Sequence, residues 1–67
     1  NNKHYHFSDL ALNGSEILKW AGDATTMTEY SQRNARAQRA HRIFAARRGW
    51  RCRYYPSPAG LIALRIQ

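Results

Sequence analysis

The sequence Thr26-Met27-Thr28-Glu29 and the glycine at position 49 bracket a stretch with no Pro or Gly between them, and that bracket constrains the fold more than any other feature. Thr and Glu three residues apart form a capping-box pattern, in which each side chain can satisfy backbone N–H groups that an emerging helix leaves free. Alanine and arginine, both strong helix formers, dominate residues 33–48. Gly49 then offers the left-handed conformation that commonly succeeds a helix end, with Arg47 and Arg48 near the negative pole of the helix dipole. The spacing predicts a helix over Met27 to Arg48, about six turns long.

The segments on either side carry different periods. After Gly49, Trp50, Cys52 and Tyr54 alternate with Arg51, Arg53 and Tyr55, the period-two pattern of a strand with one buried face. Pro56-Ser57-Pro58-Ala59-Gly60 reads as a turn, with Gly60 free to take a positive φ, and Leu61 to Ile66 reads as a second strand. This gives a C-terminal hairpin whose apolar face covers the helix, with Arg51 and Arg53 on the other face and Arg65 on it or at its edge. Before the helix, Tyr5 and Phe7 alternate with His4, His6 and Ser8, which predicts a strand over about Tyr5 to Leu12, and Asn13-Gly14 is a two-residue hairpin signal. Residues 15–21 read equally as a returning strand or as a short helix capped by Ser15 and ended by Gly22. The expected architecture is α+β: one long basic helix packed on a small, two- to four-stranded antiparallel sheet with a C-terminal β-hairpin. At 67 residues, the chain is expected to be a single domain over 1–67, close to the lower size at which an apolar core suffices.

At 100° per residue, Met27, Tyr30, Ala37, Ala40, His41 and Phe44 share one side of the helix, with Ile43 at its margin; this is the predicted buried stripe. Arg36, Arg39 and Arg42, three apart, form a row that slants across the opposite face. Gln32, Ala35 and Ala46 surround that row, and the small side chains at 35, 45 and 46 would let a large partner approach the helix backbone.

Charge points to the partner. Residues 1–29 carry Lys3 and Lys19 against Asp9, Glu16, Asp23 and Glu29, a net −2, whereas residues 30–67 carry nine arginines and no acid, a net +9. Uncompensated charge of this density favours a polyanionic partner, of which nucleic acid is the commonest. Arginine outnumbers lysine nine to two, and guanidinium suits phosphates and guanine edges better than ammonium does. The residues expected to contact nucleic acid are Gln32, Arg33, Asn34, Arg36, Arg39 and Arg42 on the helix and Arg51, Arg53 and Tyr55 on the strand after it, Tyr55 being placed to stack on a base. In composition the helix resembles arginine-rich RNA-binding helices, which implies structured RNA as an alternative target. A capped, six-turn helix with small side chains suits the major groove of duplex DNA somewhat better.

Other classes fit less well. No Gly-rich phosphate loop or nucleophile elbow is present and Cys52 has no base beside it in sequence, so the expectation is a non-enzymatic protein without a cofactor. His4 and His6 alone do not specify a metal site. The single cysteine precludes an intramolecular disulfide and fits a reducing compartment, and no apolar run approaches the length of a membrane helix, so a cytoplasmic protein is expected. A homodimer is expected as a possibility for so small a chain. The alternative to nucleic acid is a small basic effector or inhibitor that binds an acidic protein.

Overall fold

The computed structural model describes residues 7–18 and 25–67. Among them the chain forms β1 (Ser15–Leu18), α1 (Met27–Arg47), β2 (Cys52–Ser57) and β3 (Gly60–Arg65). The three strands make one antiparallel sheet in the order β1-β3-β2, with α1 packed on one face, the α+β arrangement expected from the sequence.

Both ends of α1 follow from local chemistry. Thr26 is extended (φ −132°, ψ 160°), and the Glu29 amide donates to its Oγ1 at 3.1 Å. The Glu29 carboxylate reaches one residue further back than a simple capping box requires: the Thr25 hydroxyl donates to Oε1 at 2.9 Å. At the other end the Trp50 amide donates to the Ala45 carbonyl at 2.9 Å and the Gly49 amide to the Ala46 carbonyl at 3.1 Å, with Gly49 at φ +75°. These two bonds close a Schellman motif, which satisfies carbonyls that the helix would otherwise leave free.

The C-terminal hairpin turns on Pro58-Ala59, since Ser57 pairs with Gly60. Gly60 has φ +143°, and a Cβ there would lie 2.5 Å from the carbonyl oxygen of Leu18 on β1. Only glycine fits where β3 begins beside the end of β1. Pro56 lies on the edge strand β2, where a missing N–H is tolerated.

Before the helix one sequence expectation is corrected and one open alternative is resolved in favour of a strand. In the predicted strand Tyr5 to Leu12, residues 7–12 contain no strand, and residues 5 and 6 lie outside those described. The strand is Ser15–Leu18, so no helix begins at Glu16; residues 19–24 lie outside those described. The Asn13-Gly14 signal does mark a turn: Asn13 takes φ +66° and the Gly14 amide donates to Ala11 at 2.8 Å. The strand leaving the turn pairs with β3 instead of folding back on the segment that entered it. Asn13 donates to the Arg65 carbonyl at 2.8 Å, and Arg65 donates to Gly14 at 2.9 Å. The incoming segment serves packing: Leu10 is buried, and Phe7 stands edge-on to His41 with ring centroids 5.0 Å apart.

The core is thin. Leu18, Ala37, Leu61 and Ala63 form its centre, with Phe7 and Tyr54 against it. Ala37 on α1 and Ala63 on β3 are both fully buried, so helix and central strand meet through methyl groups. The helix stripe differs in detail from expectation. Ala37 and His41 are buried as predicted, and Tyr30, Ala40 and Phe44 are half-buried, but Met27 is 76% exposed and Ile43 52%. Ala45, read as an outward small residue, is buried, because positions 37, 41 and 45 repeat every four residues along one line facing the sheet.

Candidate nucleic-acid interface

The buried line of α1 fixes what its outer side presents. At 100° per residue, Gln32, Arg36, Arg39 and Ile43 lie on the side opposite the sheet with Arg47 at the margin of that stripe, and all five are exposed. Ala35 and Ala46 beside them are exposed as well, leaving the helix surface sterically low. Arg42 leans toward β2, its guanidinium carbon 5.8 Å from the centroid of the Tyr54 ring.

The described carboxylates are engaged elsewhere. Asp9 accepts from Arg48 Nε at 2.9 Å. Glu16 accepts from the Ser8 amide at 3.0 Å and lies 3.8 Å from His41 Nε2. Glu29 holds the helix cap and pairs with Arg33 at 3.6 Å, and its carboxyl is held below the ordinary value chiefly by the Thr25 hydroxyl, with smaller help from Arg33. None of the described carboxylates pairs with Arg36, Arg39 or Arg47.

The other expected contact residues fall in different places. Gln32 joins the outward stripe, whereas Arg33 is half-buried and tied to the cap. Asn34 turns toward the sheet: its Oδ1 is buried and finds no hydrogen-bond partner among the described residues, so that oxygen is not offered to the outer surface. Arg51, Arg53 and Tyr55 are exposed, but they belong to the face of the sheet away from α1. The registry settles this, because the alternating residues Cys52 and Tyr54 face the helix, where the Tyr54 hydroxyl meets His41 Nδ1 at 2.9 Å. The expected contact residues therefore divide into two groups that look in opposite directions.

Arg47 is the residue the sequence reading missed as a member of the outward stripe, having been assigned only to the helix dipole. Spacing of three, seven and eleven residues from Arg36 through Arg39 and Ile43 to Arg47 would have found it. Two further arginines are absorbed by structure. The Arg48 guanidinium carbon sits 3.8 Å from the Phe44 ring centroid, and that of Arg65 sits 4.7 Å from the Trp50 centroid while its Nη1 donates to the Leu10 carbonyl at 2.7 Å.

Between helix and sheet lies a buried polar pair, His41 and Tyr54. Burial pushes the His41 pKa down from its ordinary value, with Glu16 partly opposing, and burial pushes the Tyr54 phenol up to about 12. Both are neutral at physiological pH. Among the described residues no group of three His, Cys, Asp or Glu is placed to hold a metal ion, and His4 and His6 lie outside them. No described helix is long and apolar enough to cross a membrane. No protein-family model matches this chain, and no curated protein or solved structure is significantly similar to it.

Proposed function

We propose that this domain binds nucleic acid without catalysing a reaction, and that duplex DNA, ahead of structured RNA, lies against the outer face of α1. The observation that carries this reading is the outward stripe Gln32-Arg36-Arg39-Arg47, exposed and without a partner among the described carboxylates. A guanidinium there can bridge O6 and N7 of guanine or clamp a phosphate, and the Gln32 amide can pair with an adenine edge. Ile43, exposed within the stripe, offers an apolar contact of the kind a thymine methyl accepts. Ala35 and Ala46 let the helix sit deep in the groove, and Arg42 on its flank reaches toward the phosphate backbone. A cytoplasmic location is part of the same proposal.

Titrating a labelled duplex at several salt concentrations tests the reading. Affinity is expected to fall steeply with salt, and Arg36→Ala or Arg39→Ala to weaken binding, a lost phosphate contact lowering the salt slope by about one. Absence of binding to DNA and RNA at low salt would overturn it. In that event an acidic protein, recovered from nuclease-treated lysate only when Arg36 and Arg39 are intact, is the alternative occupant of the same row.

A further inference from the structure

We infer that the open face of the sheet is a second, independent site for single-stranded nucleic acid, so that the domain can hold a duplex on its helix and an unpaired strand on its opposite side. The inference rests on the nucleic-acid reading of α1.

The registry assembles this face in rows. Ser15, Leu64 and Arg53 lie side by side, then Ile17, Ile62 and Tyr55, with Ser57 beyond Tyr55. Ile17 is 45% exposed and Tyr55 43%, and nothing in the described fold covers them. Arg51 and Arg53 stand exposed on the side of this face that carries Tyr55. Glu16, the acid of β1, is turned the other way, toward His41. The face is therefore largely apolar at its centre, carries an aromatic ring, and is basic along one edge with no acid among its described residues.

Those properties select among occupants. A duplex presents phosphates outward and hides its bases, so it would leave Ile17, Ile62 and Tyr55 without an apolar partner. A second copy docked face to face would bring four guanidiniums, Arg51 and Arg53 from each chain, into one interface with no described acid on that face to neutralise them. An unpaired strand answers both demands. Its bases are flat and lie on Tyr55 and the neighbouring isoleucines, while its phosphates run beside Arg51 and Arg53.

The test uses the whole chain and two fluorescent probes, a short oligothymidylate and a blunt duplex. Tyr55→Ala is expected to weaken oligothymidylate binding on the order of ten-fold while leaving duplex affinity within about twofold, and Tyr55→Phe to retain the binding. Arg36→Ala with Arg39→Ala is expected to reverse the pattern, and saturating duplex is expected to leave the oligothymidylate bound. Tyr55 is half exposed and makes no side-chain hydrogen bond in the described fold, so its variants fold. The inference is overturned if the wild-type chain binds duplex but not oligothymidylate, if the duplex displaces the strand, or if Tyr55→Ala affects both probes alike. It is equally overturned if sedimentation shows a dimer that Tyr55→Ala dissociates, which would give the face to a second copy. Failure to bind either probe removes the reading of α1 as well, so the two failures are distinguishable.

Discussion

The Tyr54 hydroxyl lies 2.9 Å from Nδ1 of His41, joining a side chain from the edge strand to a fully buried one in the C-terminal half of the helix. In a core whose centre is largely leucine and alanine, this polar contact holds the helix in a defined position on the sheet. Tyr54→Phe removes the hydroxyl and leaves a buried imidazole nitrogen without a partner, at a cost of about 1–3 kcal/mol. For a domain of this size that is expected to lower the melting temperature by ~4–24 °C, readable by circular dichroism. An unchanged melting curve would remove this role from the pair.

Burial favours the neutral form of His41 over the charged form, so the folded state holds that proton more weakly than the unfolded chain does. Stability is then complete above the ordinary imidazole value of 6.5 and declines as pH falls below it, toward the lowered value in the fold. Glu16 from β1 opposes the shift, and Tyr54 from β2, with its phenol near 12, stays neutral throughout. Urea midpoints taken from about pH 7 to about pH 5 are expected to fall for the wild-type chain and to fall less for His41→Gln. Equal slopes for the two proteins would assign the acid sensitivity elsewhere.

Thr26→Ala deletes the hydroxyl that accepts from Glu29 and is expected to cost about 1 kcal/mol. The depressed Glu29 carboxyl adds a separate effect in a lower range: its contribution is present above the ordinary carboxyl value of 4.5 and is lost as pH falls through the depressed one. Glu29→Gln should therefore reduce acid sensitivity below about pH 4.5 without altering the His41 window. Helix content followed by far-UV circular dichroism against pH separates the two.

Gly60→Ala demands both a left-handed backbone for alanine and space that the Leu18 carbonyl already occupies. The expected result is loss of cooperative unfolding, or destabilisation beyond about 2 kcal/mol, because β3 must shift away from β1. Gly49→Ala is the milder control: it meets no atom within 4 Å and bears only the strain of its φ of +75°. If both variants melt alike, the close approach of β3 to the end of β1 is not what Gly60 serves.

The long helix and the hairpin were legible because their signals are local. A capping Thr, a terminal Gly and a period-two run each act within a few residues, and α1 falls within one residue of its expected end. Pairing across the chain was not. The alternation around Tyr5 and Phe7 resembled a strand, yet Phe7 and Leu10 are recruited to pack at one end of the sheet, and β1 pairs with a strand more than 40 residues away in sequence. For the site, the outward row of Gln32, Arg36 and Arg39 followed from helical periodicity alone. Asn34 did not, since its inward turn depends on where the sheet lies, whereas the placement of Arg51, Arg53 and Tyr55 on the strand face away from the helix did follow, from their period-two alternation with Trp50, Cys52 and Tyr54. The engagement of Arg48 by Asp9 depends on a contact 39 residues apart that no local pattern announces.

The position of β3 at the centre of the sheet has a consequence for how the molecule is made. Neither β1 nor β2 has a strand partner among the described residues except β3, the last of the three to be synthesised. While a ribosome is still translating the codons for residues 60–65, the basic helix has been polymerised but the sheet that shields its inner side cannot yet exist. Assembly of the sheet waits on those six residues, and the nascent arginines precede it amid the ribosome's own RNA.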